Sequence, residues 1–415
     1  MPEDAVKETK MFTFAFVKWL LVAGVIGAAG GVVGLLFHVA VEYATGFRAV
    51  HPWLLWLLPV GGLAIAGLYS LTKMEHKNTN AIIDAIHFGD SVPILLVPVI
   101  FIATTITHLC GGSAGREGAA LQIGGGIGSS IGRLFRLDEK DMRLAVLCGM
   151  SAVFSALFGT PVTATFFALE VISVGVLYYS ALVPCIASSL TAYGITRLCG
   201  VAPTRFAVTA PELSAGLLLS VAGLAIVCAV VSMVFCVVMH GTEHLAEKKL
   251  PNRYLRIALG GALVVGLTYL VGTTDYNGAG MSIIAAAIEQ GTARPSAFFW
   301  KLAFTAVTLG FGFKGGEVVP TFFIGAVLGC VVGPIIGIPA GFAAAVGLVA
   351  VFCGAVNCPV ASIVLAVELF GGEGIVCFAA ACGISYMLSG YFGLYSSQKI
   401  MYSKVRPEFI NIQAK

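Results

Sequence analysis

The chain has 415 residues, of which 58% are hydrophobic and 11% charged, with a formal net charge of +3 and a mean hydropathy of +0.95. A soluble domain carries about 25% charged residues, so this chain holds less than half the supply needed to cover a water-facing surface. Composition therefore excludes a soluble globular protein and requires an integral membrane protein; the small net charge says nothing by itself, and no nucleic-acid partner is expected.

The apolar runs are continuous rather than alternating, which excludes a transmembrane barrel and predicts an all-α polytopic bundle. Residues 1–10 are polar. Apolar runs then follow at 11–40, 53–72, 91–110, 120–132, 144–158, 160–180 and 182–199. The second half gives 212–240, 255–272, 279–289, 297–312, 321–336, 338–356, 359–370 and 373–392. A crossing needs about 20 residues at 1.5 Å rise, so 120–132 and 359–370 are too short and read as half-helices. The 51 glycines fit many close or interrupted helices. After Tyr395 only a basic tail (Lys399, Lys404, Arg406) remains, and no C-terminal soluble regulatory domain is expected. Basic loops at 133–143 and 248–256 join the N-terminus and tail in marking a cytoplasmic face, so a multi-pass protein of the cell membrane with both termini cytoplasmic is predicted. The first run outlasts a signal peptide and reads as a retained helix.

The eleven cysteines are scattered through apolar runs without metal spacing and read as small buried hydrophobes; no metal site and no cofactor are expected. His87 and His108 also lack ligand spacing and read as satisfied structural histidines.

Chemistry concentrates in two glycine-rich breaks. The first is Gly111-Gly112-Ser113-Ala114-Gly115-Arg116-Glu117-Gly118; the second is Gly315-Gly316-Glu317-Val318-Val319-Pro320. Ionisable residues at membrane depth are costly and functional by default. Set Glu117 on Glu317, and each is followed eight positions later by a glycine, Gly125 and Gly325. Phe154 to Pro161 likewise matches Phe352 to Pro359, and each proline precedes by nine residues a glutamate, Glu170 and Glu368. Four matches in one order predict a single transmembrane transport domain, 1–415, with a duplicated unit over 53–199 and 255–392.

Duplicated transporters build their site where the halves meet, with broken helices aiming unpaired N–H groups at an anion. A glutamate there acts as a competing anion: ionised it plugs the site, protonated it leaves. Exchange of an anion against a proton then follows from one side chain, Glu117. Arg116 reads as a buried structural cation, and Glu170 and Glu368 as structural.

Gly115-Arg116-Glu117-Gly118, Pro161 to Glu170, Gly316-Glu317-Val318-Val319-Pro320 and the late Tyr395 together resemble the CLC chloride channel and proton-antiporter family. The resemblance implies a bundle of tilted and broken helices in two inverted repeats, and a homodimer with one pathway per subunit. It also implies Glu117 as the gate, with Gly115, Gly316, Val318, Val319 and Tyr395 along the anion pathway. Chloride-handling members carry a serine-bearing segment where this chain has Lys77-Asn78-Thr79-Asn80-Ala81. They carry Phe where it has Val318, Pro where it has Ala119, and, in the exchangers, a second glutamate where it has Val171. The combination resembles the fluoride/proton antiporter clade, which adds Asn80 and Glu317 to the pathway. A fluoride exporter driven by the proton gradient is thus expected. A chloride/proton exchanger or passive anion channel of the same fold is the alternative, whereas the chain offers no HExxH, no GxSxG on an outer helix and no paired Asp/His set for an intramembrane enzyme.

Overall fold

The structure, a computed structural model, describes residues 3–89 and 91–415; positions 1 and 2 of the polar N-terminus, and position 90, lie outside the described residues. Among the described residues sixteen α-helices follow one another. The first eight are α1 (Glu3–Val50), α2 (Leu58–Thr72), α3 (Thr79–Phe88), α4 (Leu96–Cys110), α5 (Glu117–Leu134), α6 (Glu139–Phe158), α7 (Pro161–Glu170) and α8 (Leu182–Leu198). The second eight are α9 (Ala215–Lys249), α10 (Arg253–Val271), α11 (Met281–Glu289), α12 (Ala297–Gly310), α13 (Val318–Val332), α14 (Ala340–Val356), α15 (Pro359–Phe370) and α16 (Ile375–Leu388). Seven helical stretches among the described residues are long and apolar enough to cross a membrane. By contrast α7 has 10 residues and α15 has 12, which at 1.5 Å per residue cross about half of the hydrocarbon core.

The two sets of eight pack alike. α1 lies on α4, α6 and α8, and α9 lies on α12, α14 and α16. The tightest contacts are α5 on α6 and α13 on α14, and glycines explain both. A Cβ at Gly124 would strike the Gly149 carbonyl, and one at Gly325 would strike the Gly347 carbonyl, so backbone lies against backbone in each half. Helices α1 and α9 precede the windows 53–199 and 255–392, yet they too occupy matching places.

The halves are inverted relative to each other. Glu170, at the C-terminal end of α7, accepts hydrogen bonds from Val360 N and Ala361 N at 3.2 and 2.7 Å, at the start of α15. Glu368, near the end of α15, accepts from Val162 N and Thr163 N at 3.1 and 2.7 Å, at the start of α7. Only an antiparallel pair can exchange end-to-start contacts in this way. The prediction of a structural role for both glutamates holds, and each caps the other's helix.

Two features depart from the sequence-based expectation. Helix α3 falls outside every apolar run because it is short and carries Asn80, Asp84 and His87; Asn78 caps it by accepting from Ala81 N. The basic tail is not featureless: β2 (Lys399–Tyr402) pairs antiparallel with β3 (Phe409–Gln413) and parallel with β1 (Ser173–Val174). Gln398 anchors this sheet by donating from Nε2 to the carbonyls of Val171 and Val356 at 3.0 and 2.9 Å.

Lys18 pairs with Asp141, and Arg253 with Glu75. These contacts, with the tail sheet beside α3, bring the loops 133–143 and 248–256 and both ends of the described chain to one face. Arg48, at the far end of α1, and the 272–280 loop lie at the other.

Candidate functional site

Where the halves meet, two breaks in the helices touch. Gly115 N donates to the Gly316 carbonyl at 2.7 Å and Gly316 N to the Gly115 carbonyl at 2.8 Å, a two-bond antiparallel bridge. Glycine is needed at 316: a Cβ there would come within 2.6 Å of Gly118 N and 2.7 Å of Glu117 N.

This bridge also corrects the register of the two halves by one residue. With Gly115 opposite Gly316, Arg116 corresponds to Glu317 and Glu117 to Val318. Helix starts agree, since Arg116 precedes α5 and Glu317 precedes α13. The close-packing glycine matching Gly325 is accordingly Gly124, not Gly125. Glu117 and Glu317 are therefore not equivalent. One is the first residue of its helix, and the other stands just before its helix begins.

Four helices start inside the molecule, and none has a side-chain cap from its own N-cap residue: α5 after Arg116, α7 after Thr160, α13 after Glu317 and α15 after Cys358. An uncapped start exposes N–H groups and partial positive charge. Glu368 and Glu170 satisfy α7 and α15 with two bonds each. The start of α13 is met by Glu117, whose Oε2 accepts from Val319 N in one bond of 3.3 Å. Glu117 Oε1 finds no protein partner although the side chain is fully buried. Three carboxylates thus serve the same electrostatic purpose, and that of Glu117 is the most weakly held.

Two cavities approach the bridge, and Glu117 lines one of them. On the face of Arg48, a cavity of about 520 Å³ is lined by Glu117 and Val319, with His38, Arg48, His108 and Arg116 around them. Arg116 donates to His38 Nδ1 at 2.9 Å and to the Leu157 carbonyl at 3.4 Å, the structural role expected of it. His108 Nδ1 meets the Thr104 carbonyl at 2.9 Å, but its Nε2 is buried without a partner, so this histidine is only half satisfied. His87 is bonded, to the Ile172 carbonyl at 3.1 Å.

On the face of the basic loops, a smaller cavity of about 110 Å³ gathers Asn80, Glu317 and Tyr395, three of the residues expected along a pathway. The Tyr395 hydroxyl and Glu317 Oε2 are buried and have no protein partner. Buried polar atoms are nearly always paired in folded proteins, so orphans clustered in one cavity mark a place built to meet something else. Asn80 also acts as a brace, because its Oδ1 accepts from Ser397 N at 3.2 Å and steadies the segment that carries Tyr395. Val318 is buried among side chains and lines neither cavity, while Val319 reaches the opposite one. Gly115 and Gly316 line neither cavity; their bridge forms a septum between the halves beside Glu117.

The same small cavity includes residues that sequence reasoning missed. Gln122 donates from Nε2 to Thr79 Oγ1 at 3.3 Å and leaves its own Oε1 unpaired; Thr79 in turn bonds the Gly118 carbonyl at 3.4 Å. Gln122 is visible in the sequence as the lone polar side chain early in the apolar run after Glu117. Lys314 also lines the cavity, and its position two residues before Gly316 is the signal that could have found it.

Comparison with known proteins agrees with this geometry. The sequence profile of the family described as voltage gated chloride channel matches residues 61–390. The chain is 37% identical over 396 residues to a chloride/fluoride channel protein of Pseudomonas syringae pv. tomato, covering 93% of this chain and 87% of that one. It is 26% identical to an H(+)/Cl(-) exchange transporter of Vibrio campbellii, covering 89% and 86%. Its fold matches the crystal structure of a CLC-type fluoride/proton antiporter with a TM-score of 0.89 at 30% identity, covering 92% of this chain and 98% of that one. The chain belongs to the voltage-gated chloride channel, or CLC, family of membrane anion channels and anion/proton antiporters.

Proposed function

We propose that the chain is a fluoride/proton antiporter that exports fluoride, with Glu117 as a protonatable side chain that mimics the anion. The observation that carries this is the single 3.3 Å bond between Glu117 Oε2 and Val319 N, made by a buried carboxylate with a second, unpaired oxygen. Ionised, the carboxylate takes the place of an anion at the start of α13 and closes the septum. Protonated, it loses most of its attraction to those N–H groups and yields the place. Anion and proton therefore compete for one position, which is what coupled exchange requires.

Fluoride is small and accepts hydrogen bonds strongly, so it gains most from donors in a tight space. The Tyr395 hydroxyl and the backbone amides at the start of α13 are such donors. Asn80, Glu317, Val318 and Val319 complete the pathway on this reading, with Gly115 and Gly316 letting the backbones approach. The likeness to a fluoride/proton antiporter and to a chloride/fluoride channel protein supports fluoride as the cargo. On the same reading the duplicated unit works as an inverted pair, and the chain acts as a homodimer in the cell membrane with its basic face in the cytoplasm.

The test is flux from liposomes. An imposed fluoride gradient is expected to drive protons, with chloride carried far more slowly. Chloride moving as fast as fluoride would remove the fluoride assignment and leave a general anion transporter.

A further inference from the structure

We propose that Lys314 is a capture site for a small inorganic anion, at the junction of two cavities on the basic face. This rests on the anion-transport reading above and adds a station that the motif residues do not include.

Lys314 lines the 110 Å³ cavity that holds Tyr395 and Glu317. It also lines a second cavity of about 200 Å³, which opens between α2, α9 and α10. Lys314 is the one side chain that the linings of the two spaces share, so an anion held by it stands beside both. Three lysine and arginine side chains line that second cavity, and they differ in what they hold. Arg253 is paired with Glu75, and Arg256 with Glu247 at 3.3 Å. The hydrogen bond from Arg253 holds the Glu75 carboxyl below the usual carboxylate range, so that pair stays ionised and mutually neutral. For Lys314, no carboxylate of the described residues comes within ion-pair distance, and no hydrogen bond to the protein is formed.

What Lys314 does touch is an aromatic face: its Nζ lies 4.8 Å from the centroid of the Tyr69 ring. That contact orients the ammonium without neutralising it. The remaining charged groups nearby are Glu243 and Glu247 of α9, Arg256 of α10 and Glu317 of its own loop. Glu247 is engaged with Arg256, and Glu243 is exposed at the rim, where water screens it. An unpaired, half-buried cation facing a small polar cavity is a match for a small anion. From there the anion needs only to turn into the space containing the Tyr395 hydroxyl, a donor without a protein partner.

The test compares wild type, Lys314→Met and Lys314→Arg in liposomes, with fluoride and separately chloride as the transported ion and with proton flux recorded. A focused positive site raises local anion concentration about tenfold or more, so Lys314→Met should raise KM by about that factor. The ratio of protons to anions should stay the same, and Lys314→Arg should restore KM. Glu243→Gln, which removes the rim carboxylate, should lower KM and supplies the answer should the methionine variant fail to fold. An unchanged KM in both variants, or a change in the proton ratio with KM intact, overturns the proposal; the latter would make Lys314 a partner of Glu317 instead. The chloride arm separates the two readings, since a KM shift seen equally with both ions keeps the capture site while removing fluoride specificity.

Discussion

Glu117, Glu170 and Glu368 are carboxylates at helix starts in one membrane protein, and hydrogen bonding divides them. Each bond from an N–H to a charged acceptor contributes roughly 1.5–3 kcal/mol. Glu170 and Glu368 accept two such bonds each, at 2.7 to 3.2 Å, whereas Glu117 accepts one at 3.3 Å. The weaker hold fits the proposal that Glu117 leaves its place while the other two stay. Tyr395 is the complementary case, a buried donor that no protein atom uses. Tyr395→Phe deletes that donor with little change in shape, and on the proposed pathway fluoride affinity should fall about tenfold or more. Equal fluoride affinity in that variant, measured by calorimetry, would place the hydroxyl outside the pathway. The sequence singled out Glu117 by its glycine-rich break, and the family resemblance pointed to Tyr395. Thr79, Gln122 and Lys314 were not legible there, because ordinary polar residues acquire meaning only when folding gathers them at one cavity.

At the scale of elements, the structure depends on contacts that allow no substitute. Glu170→Ala would strip the start of α15 of both its acceptors. Unpaired N–H groups are costly in a buried, water-poor setting, so a loss of about 2–4 kcal/mol is expected, read as a lower midpoint of thermal unfolding in detergent. An unchanged midpoint would show that other groups serve those amides. Gly347→Ala places a Cβ against the Gly325 carbonyl, backbone against side chain with nothing to yield. It should separate α13 from α14 and reduce folded yield far more than alanine at Gly266, around which a Cβ meets nothing within 4 Å. Comparable yields would argue against the close packing described. Most long helices were legible as apolar runs. Helix α3 was not, because its polar residues break the run. Nor was the tail sheet, whose strands are short and pair with a two-residue segment more than two hundred positions earlier. The offset between Glu117 and Glu317 was hidden for a related reason. Two glycine-rich segments can be aligned in neighbouring registers, and only the Gly115–Gly316 bridge selects one.

At the scale of the molecule, two inverted sets of eight helices bring four helix starts inward and leave cavities on both faces. The Gly115–Gly316 septum joins the halves, and Glu117 lies beside it. The proposed mechanism uses no second protonatable residue at Val171, which is buried and apolar. On the proposed mechanism a single carboxylate that either occupies or vacates the start of α13 links the two fluxes. The most direct test is the proton flux driven by a fluoride gradient in liposomes, compared between wild type and Glu117→Gln. Glutamine keeps the shape and removes the titration, so fluoride should still move in the variant while its coupled proton flux disappears. A variant that keeps proton flux in proportion to fluoride would contradict the central claim.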